Sequence, residues 1–235
     1  MIMSTIEQNL QAVHHSIVAA VREARRAPEG VALLAVSKTF GADAVVEAVR
    51  AGQCAFGENY LQEAIDKIAA VAAAVPRAKL EWHFIGPIQS NKTRPIAEHF
   101  DWVHTVEREK IAQRLSQQRP TGLAPLNICL QVNISGEASK SGVAPGQLRA
   151  LAQQVAALPN LRLRGLMAIP EPAAEFERQR AAFRQLRLLY EQLRGDGLAL
   201  DTLSMGMSAD MRAAVVEGAT IVRVGSAIFG SRDYS

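Results

Sequence analysis

Val31-Ala32-Leu33-Leu34-Ala35-Val36-Ser37-Lys38 runs apolar from Val31 to Val36 and ends on a lysine. A strand wetted on one face alternates apolar and polar residues, whereas an unbroken apolar run suits a parallel strand covered by helices on both sides. A helical pattern follows over 42–51, and the unit then repeats. Further apolar runs predict strands at Gln53–Phe56, Glu81–Ile85, Asp101–Thr105, Leu126–Asn133, Leu163–Ile169, Thr202–Met205 and Thr220–Val224. Helical periodicity fills 59–74, 90–98, 107–118, 145–157, 173–194 and 209–217 between them, with Phe176, Phe183, Leu186, Tyr190 and Leu193 lining one side of the sixth helix. The strand ends recur about every 26 residues, room for one strand, one helix and two short loops. Eight units fill the chain, and the first strand lacks the glycine fingerprint of a doubly wound dinucleotide fold. The reading is a single (β/α)8 TIM barrel spanning 1–235. Residues 1–30 form an extra N-terminal helix packed on it, with Ser4 and Glu7 spaced as a capping box ahead of the stripe Ile6, Leu10, Val13, Ile17 and Val21.

Composition narrows the function classes. Of 235 residues, 49% are hydrophobic and 21% charged, enough to bury a core and too apolar for a disordered chain. Twenty-six basic against 23 acidic residues leave a net charge of +3, too even for a nucleic-acid footprint. The longest apolar run, Ile68 to Val75, is far short of the ~20 residues of a membrane helix. No charged-then-apolar leader opens the chain, so a cytoplasmic protein is expected. Cys54 and Cys129 lie in apolar runs and read as small core residues, and the histidines lack a metal-ligand pattern.

In such barrels the active site gathers at the carboxyl ends of the strands. Those ends carry Lys38, Gly57-Glu58-Asn59, Ser204-Met205-Gly206-Met207-Ser208 and Arg223-Val224-Gly225-Ser226. The strand period of two puts Leu34, Val36 and Lys38 on one face, and Ile221, Arg223 and Gly225 on one face. Turning Lys38 and Arg223 into the apolar helix layer carries a severe desolvation cost, so both are expected in the barrel mouth. A lysine short of water and near a guanidinium has a depressed pKa and supplies the neutral amine a Schiff base needs. The competing reading pairs Lys38 with Glu58 or Asp210. The loops after the seventh and eighth strands commonly bind phosphate. Ser204, Gly206, Gly225 and Ser226 fit that need, while Ser208 reads first as the N-cap of a helix over 209–217. An aldehyde-seeking lysine beside a phosphate cradle points to pyridoxal phosphate.

The strings Leu33-Leu34-Ala35-Val36-Ser37-Lys38-Thr39, Phe56-Gly57-Glu58-Asn59-Tyr60, Trp82-His83-Phe84-Ile85-Gly86-Pro87, Leu203-Ser204-Met205-Gly206-Met207-Ser208 and Val222-Arg223-Val224-Gly225-Ser226 closely resemble the pyridoxal phosphate homeostasis protein family. The resemblance runs from Leu33 almost to the C-terminus, and the family looks like the barrel domain of alanine racemase without its second, β-rich domain. It implies that Lys38 carries pyridoxal 5'-phosphate as an internal aldimine, that Arg223 faces the pyridine nitrogen and that Asn59 neighbours the ring. It further implies that Ser204, Gly225 and Ser226 hold the phosphate. Ser226 stands where many relatives carry threonine, with the hydroxyl retained.

A racemase needs an acid/base group on each face of the cofactor. Lys38 serves one face, and an arginine at the ring nitrogen weakens the ring as an electron sink. The expectation is therefore a protein that holds and delivers the cofactor, with transient contact to apoenzymes that require it and little or no turnover. The alternative is an amino-acid racemase or related lyase whose second base is His83, Lys140 or Tyr60. Lys140 reads as a solvated surface lysine or, alternatively, as a second amine that accepts the aldehyde during release. The arginines of the 173–194 helix are expected on a solvent face, without partners, and the chain is expected to be a monomer.

Overall fold

Parallel pairing closes the apolar runs into a ring. The computed structural model describes residues 4–136 and 141–230. Its strands are β1 (Ala32–Val36), β2 (Ala55–Glu58), β3 (Glu81–Phe84), β4 (Trp102–Val106), β5 (Leu126–Gln131), β6 (Leu161–Met167), β7 (Thr202–Ser204) and β8 (Ile221–Val224). Each pairs with its neighbours in chain order, and β8 returns to β1 through Ala32↔Ile221 to Ala35↔Val224, which closes the barrel. The helices are α1 (Thr5–Glu23), α2 (Ala42–Arg50), α3 (Leu61–Ala74), α4 (Thr93–His99), α5 (Glu109–Gln118), α6 (Pro145–Ala156), α7 (Phe176–Gly195), α8 (Met211–Val216) and the short α9 (Ser226–Phe229).

Helix α1 begins as its capping box requires, the Ser4 hydroxyl accepting the Glu7 N–H. Its buried stripe of Leu10, Val13, Ile17 and Val21 packs on α8 and α9. Asn9 donates to the Ile228 carbonyl, and the Arg212–Glu23 ion pair ties α8 to the end of α1.

The core divides into two compartments. Most buried apolar residues, Leu33, Ala35 and Phe56 among them, lie between sheet and helices. A separate apolar cluster consists of Trp102, Cys129 and Met167. Alongside it are buried His83, His104, Ser204 and Arg223, and Arg223 turns inward as expected.

Four expectations need correction. Strand β2 starts two residues later than predicted, because the Gln53 amide bonds the Leu33 and Ala55 carbonyls ahead of it. Glu58 extends the strand because a buried cation waits for it. Cys54 is exposed and only Cys129 is a core residue. The arginines of α7 are not idle: Arg180, Arg184 and Arg187 converge on the nearly buried Glu217 just after α8. Ser208 does not cap α8, which starts at Met211 with Asp210 at the N-cap position.

Candidate cofactor site

Lys38 leaves the end of β1 through a turn that the neighbouring helix holds in place. Lys67 of α3 is buried and donates from Nζ to the Ser37 carbonyl and Glu58 Oε1, both at 2.7 Å, and to Glu63 Oε1 at 2.8 Å. Ser37 Oγ donates to the same Glu58 oxygen at 2.6 Å, and Glu63 Oε1 accepts the Thr39 N–H at 2.7 Å. One ammonium thus anchors the backbone on both sides of Lys38. The anchorage holds Thr39 at a φ of 70°, a left-handed conformation unusual for a β-branched residue. Glu58 is therefore the partner of Lys67, which overturns the pairing of Glu58 with Lys38. Burial pushes the Glu58 carboxyl up, and Lys67 opposes the shift.

The half-buried Lys38 lines a cleft of about 290 Å³ at the carboxyl ends of the strands, shared with Asn59, Ser208, Arg223, Gly225 and Ser226. Five of the six predicted site residues are brought together there. The sixth, Ser204, is wholly buried behind Arg223 and does not line the cleft. Arg223 is 4% exposed, donating from Nη1 to Ser204 Oγ at 2.8 Å and from Nη2 to the Ala168 carbonyl at 3.0 Å. Burial pushes its pKa down to about 10 against the pull of Asp210. Asp210 accepts the Met207 N–H at 2.6 Å and so fixes the loop that carries Ser208. Gly206, at a φ of 94°, turns that loop where a Cβ would come within 2.5 Å of the Ala214 Cβ.

Behind Arg223 runs a hydrogen-bonded column that sequence reading missed. Ser204 Oγ stands 2.8 Å from His104 Nδ1, and His104 Nε2 stands 2.9 Å from His83 Nδ1. Arginine only donates, so the Ser204 oxygen accepts from Arg223 and shares a second hydrogen bond with His104 Nδ1. His104 Nε2 and His83 Nδ1 share the next one, and His83 Nε2 stands at the far end of the column. Burial pushes the pKa of His83 down, and His104 well down with a further push from His83 and Arg223, so both rings stay neutral. The signal available in the sequence was two histidines at inward positions of adjacent strands. His83 meets the expectation of a buried histidine, but its Nε2 has no hydrogen-bond partner.

The cleft fits pyridoxal phosphate on its own terms. The Asn59 side-chain oxygen is buried in the lining without a hydrogen-bond partner, the state of a group that waits for a ligand donor. Gly225 brings its backbone against β1, where a Cβ would stand 3.1 Å from the Val36 carbonyl. Lys38 supplies the amine and Arg223 a cation at the base of the cleft. Of the second bases considered, Tyr60 is exposed and outside the lining, His83 belongs to the column below, and Lys140 lies outside the described residues.

The model of the alanine racemase N-terminal domain matches residues 8–233. The chain belongs to that family. It is 64% identical over 232 residues to a pyridoxal phosphate homeostasis protein of Pseudomonas aeruginosa, covering 99% of this chain and 98% of the relative. It is 54% identical to the protein of that name in Escherichia coli K12, with 99% of each covered. Among solved structures it is similar to PipY of Synechococcus elongatus with PLP bound, at a TM-score of 0.78 and 39% identity, covering 91% of this chain and all of that one. Alanine racemase from Corynebacterium glutamicum shares the fold at a TM-score of 0.64 and 20% identity, covering 93% of this chain and 60% of the racemase. Among the described residues no helix is long and apolar enough to cross a membrane, and no His/Cys/Asp/Glu group could hold a metal ion.

Proposed function

We propose that this chain binds pyridoxal 5'-phosphate in the cleft and holds and delivers it, contributing to vitamin B6 and amino-acid homeostasis. The observation that carries the proposal is the convergence of Lys38, Arg223, Gly225 and Ser226 on one cleft. Lys38 would hold the cofactor through its amine, which suits the aldehyde. Arg223 would serve the ring nitrogen and Asn59 a donor at the ring edge. Gly225 and the Ser226 hydroxyl would hold the phosphate. In this reading Ser208 takes the phosphate position first given to Ser204, whose hydroxyl is committed to Arg223 and His104. When bound, the cofactor supplies a reversible aldehyde and an electron-accepting ring.

Delivery without turnover is supported by the lining. Among its described residues Lys38 is the one side chain suited to move a proton, since Arg223 stays charged at neutral pH. Among the described lining residues a two-base exchange at an α-carbon finds no second member. The closed barrel leaves no sheet edge to pair with another copy, in keeping with a monomer that meets apoenzymes transiently. The test is the visible spectrum, borohydride reduction and mass mapping of the pyridoxyl peptide. A Schiff-base band with the adduct on Lys38 is expected. A colourless chain that stays unlabelled in excess cofactor overturns the proposal. Sustained racemisation abolished by Lys38→Ala converts the carrier into a racemase.

A further inference from the structure

A second cavity is larger than the cofactor cleft. It is a mouth of about 560 Å³ at the opposite, N-terminal end of the barrel. Barrels of this type normally plug their interior with layers of bulky side chains. Here the outermost residues that β1 and β2 give to the lining are the small Ala32 and Ala55, with Leu33 and Leu34 of β1 behind them, and the mouth stays open.

Its charges are arranged in an unusual way. Arg164 and Asp201 neutralise each other, their closest contact 2.8 Å, with the guanidinium stacked on Trp102 at 4.6 Å. Arg26 gives three hydrogen bonds to the carbonyls of Val215, Ala219 and Gly30 and, among the described residues, has no carboxylate within ion-pair distance. Glu81, its side chain 62% exposed, has among the described residues no lysine or arginine within ion-pair distance; His83 Nε2 lies 3.7 Å away, and His83 and Arg164 hold its carboxyl below the usual range. That nitrogen is also the open end of the column, a polar atom on a residue 2% exposed with no hydrogen-bond partner. Leu34, Trp102 and Ile221 supply apolar wall. Arg26, the exposed carboxylates Glu29 and Glu81, a buried ring nitrogen and an apolar wall share one cavity. A ligand carrying both charges on a small apolar body meets both kinds of charge and the wall, whereas a simple anion or cation meets only one kind.

We propose that the N-terminal mouth is a second binding site, for a zwitterionic α-amino acid with an apolar side chain. Its carboxylate meets Arg26, and its ammonium meets Glu81. Trp102 is the built-in reporter. In cofactor-free protein carrying Trp82→Phe, L-leucine is expected to change the Trp102 emission saturably. Isovalerate and isoamylamine, each with one charge of the pair, bind about tenfold more weakly or worse, as expected when one charge-assisted contact is lost. Glu81→Gln weakens L-leucine about tenfold by the same reasoning, and Lys38→Ala leaves it unchanged. Calorimetry on the unsubstituted chain gives the same dissociation constant, so a poorly folded tryptophan variant does not decide the matter. No saturable response by either method, equal binding of either singly charged control, or loss in Lys38→Ala overturns the proposal. Every arm is read without pyridoxal phosphate, so a failure of the cofactor assignment and a failure of this site are told apart.

Discussion

Ser204 shows how much one hydroxyl can hold. It accepts a hydrogen bond from Arg223 and shares another with His104, both contacts buried. Ser204→Ala strands a guanidinium proton and a ring nitrogen at once, and each orphaned buried group costs about 1–3 kcal/mol. Urea unfolding should show a loss in that range or above it, while Ser208→Ala, at an exposed position, should cost little stability and weaken phosphate retention. The histidines predict a pH dependence whose sign follows from their burial. Both have folded pKa values below the ordinary 6.5, so the unfolded chain binds more protons. Their stabilising contribution is complete above about 6.5 and is lost as pH falls toward the folded values, at up to roughly 1.4 kcal/mol per pH unit for each ring. Unfolding midpoints between pH 7.5 and 5 should fall accordingly, and less steeply in His83→Gln. At this scale the sequence was legible wherever strand parity decides the question. Lys38, Arg223 and Gly225, assigned to the mouth by parity, line the cleft. That Ser204 lies behind Arg223 and outside the lining was not legible, because parity says which way a residue faces and nothing about how deep it lies.

At the scale of elements, the first β–α–β turn is held by α3. Lys67 reaches from the helix to Ser37, Glu58 and Glu63, and so fixes both neighbours of Lys38. Removing one member of a buried ion pair costs about 3–5 kcal/mol, because the other charge is left without its partner. Lys67→Met should destabilise by that amount, and the double variant Lys67→Met with Glu58→Gln should recover part of it. If the double variant is as unstable as the single one, the cost lies in the lost contacts to Ser37 and Glu63 rather than in the stranded carboxylate. The spacing of Glu63 and Lys67 could have suggested a helix-surface pair. Nothing local could have revealed that Glu58, read as a loop residue of the mouth, is the carboxylate they bury. The α7 arginines teach the same lesson: Glu217 gathers them from beyond the next strand.

For the whole molecule, the eight-fold rhythm of apolar runs was sufficient to give the barrel, because parallel strands and their crossovers leave few other arrangements. What the rhythm could not give is the character of the interior. Strand patterning separates inside from outside and is silent about which inward residues meet across the axis. His83 and His104 are adjacent only because β3 and β4 pair, and Ser204 joins them from a strand a hundred residues further on. The column has a consequence for spectroscopy. Protons held between buried heteroatoms at 2.8–2.9 Å and shielded from water trade places with solvent slowly. Those of the His83–His104 and His104–Ser204 hydrogen bonds should therefore stand as resolved resonances far downfield in a proton spectrum, where most side-chain signals of that kind are erased by exchange. The axis of this barrel carries its own magnetic label, installed by the fold and needing no isotope or dye.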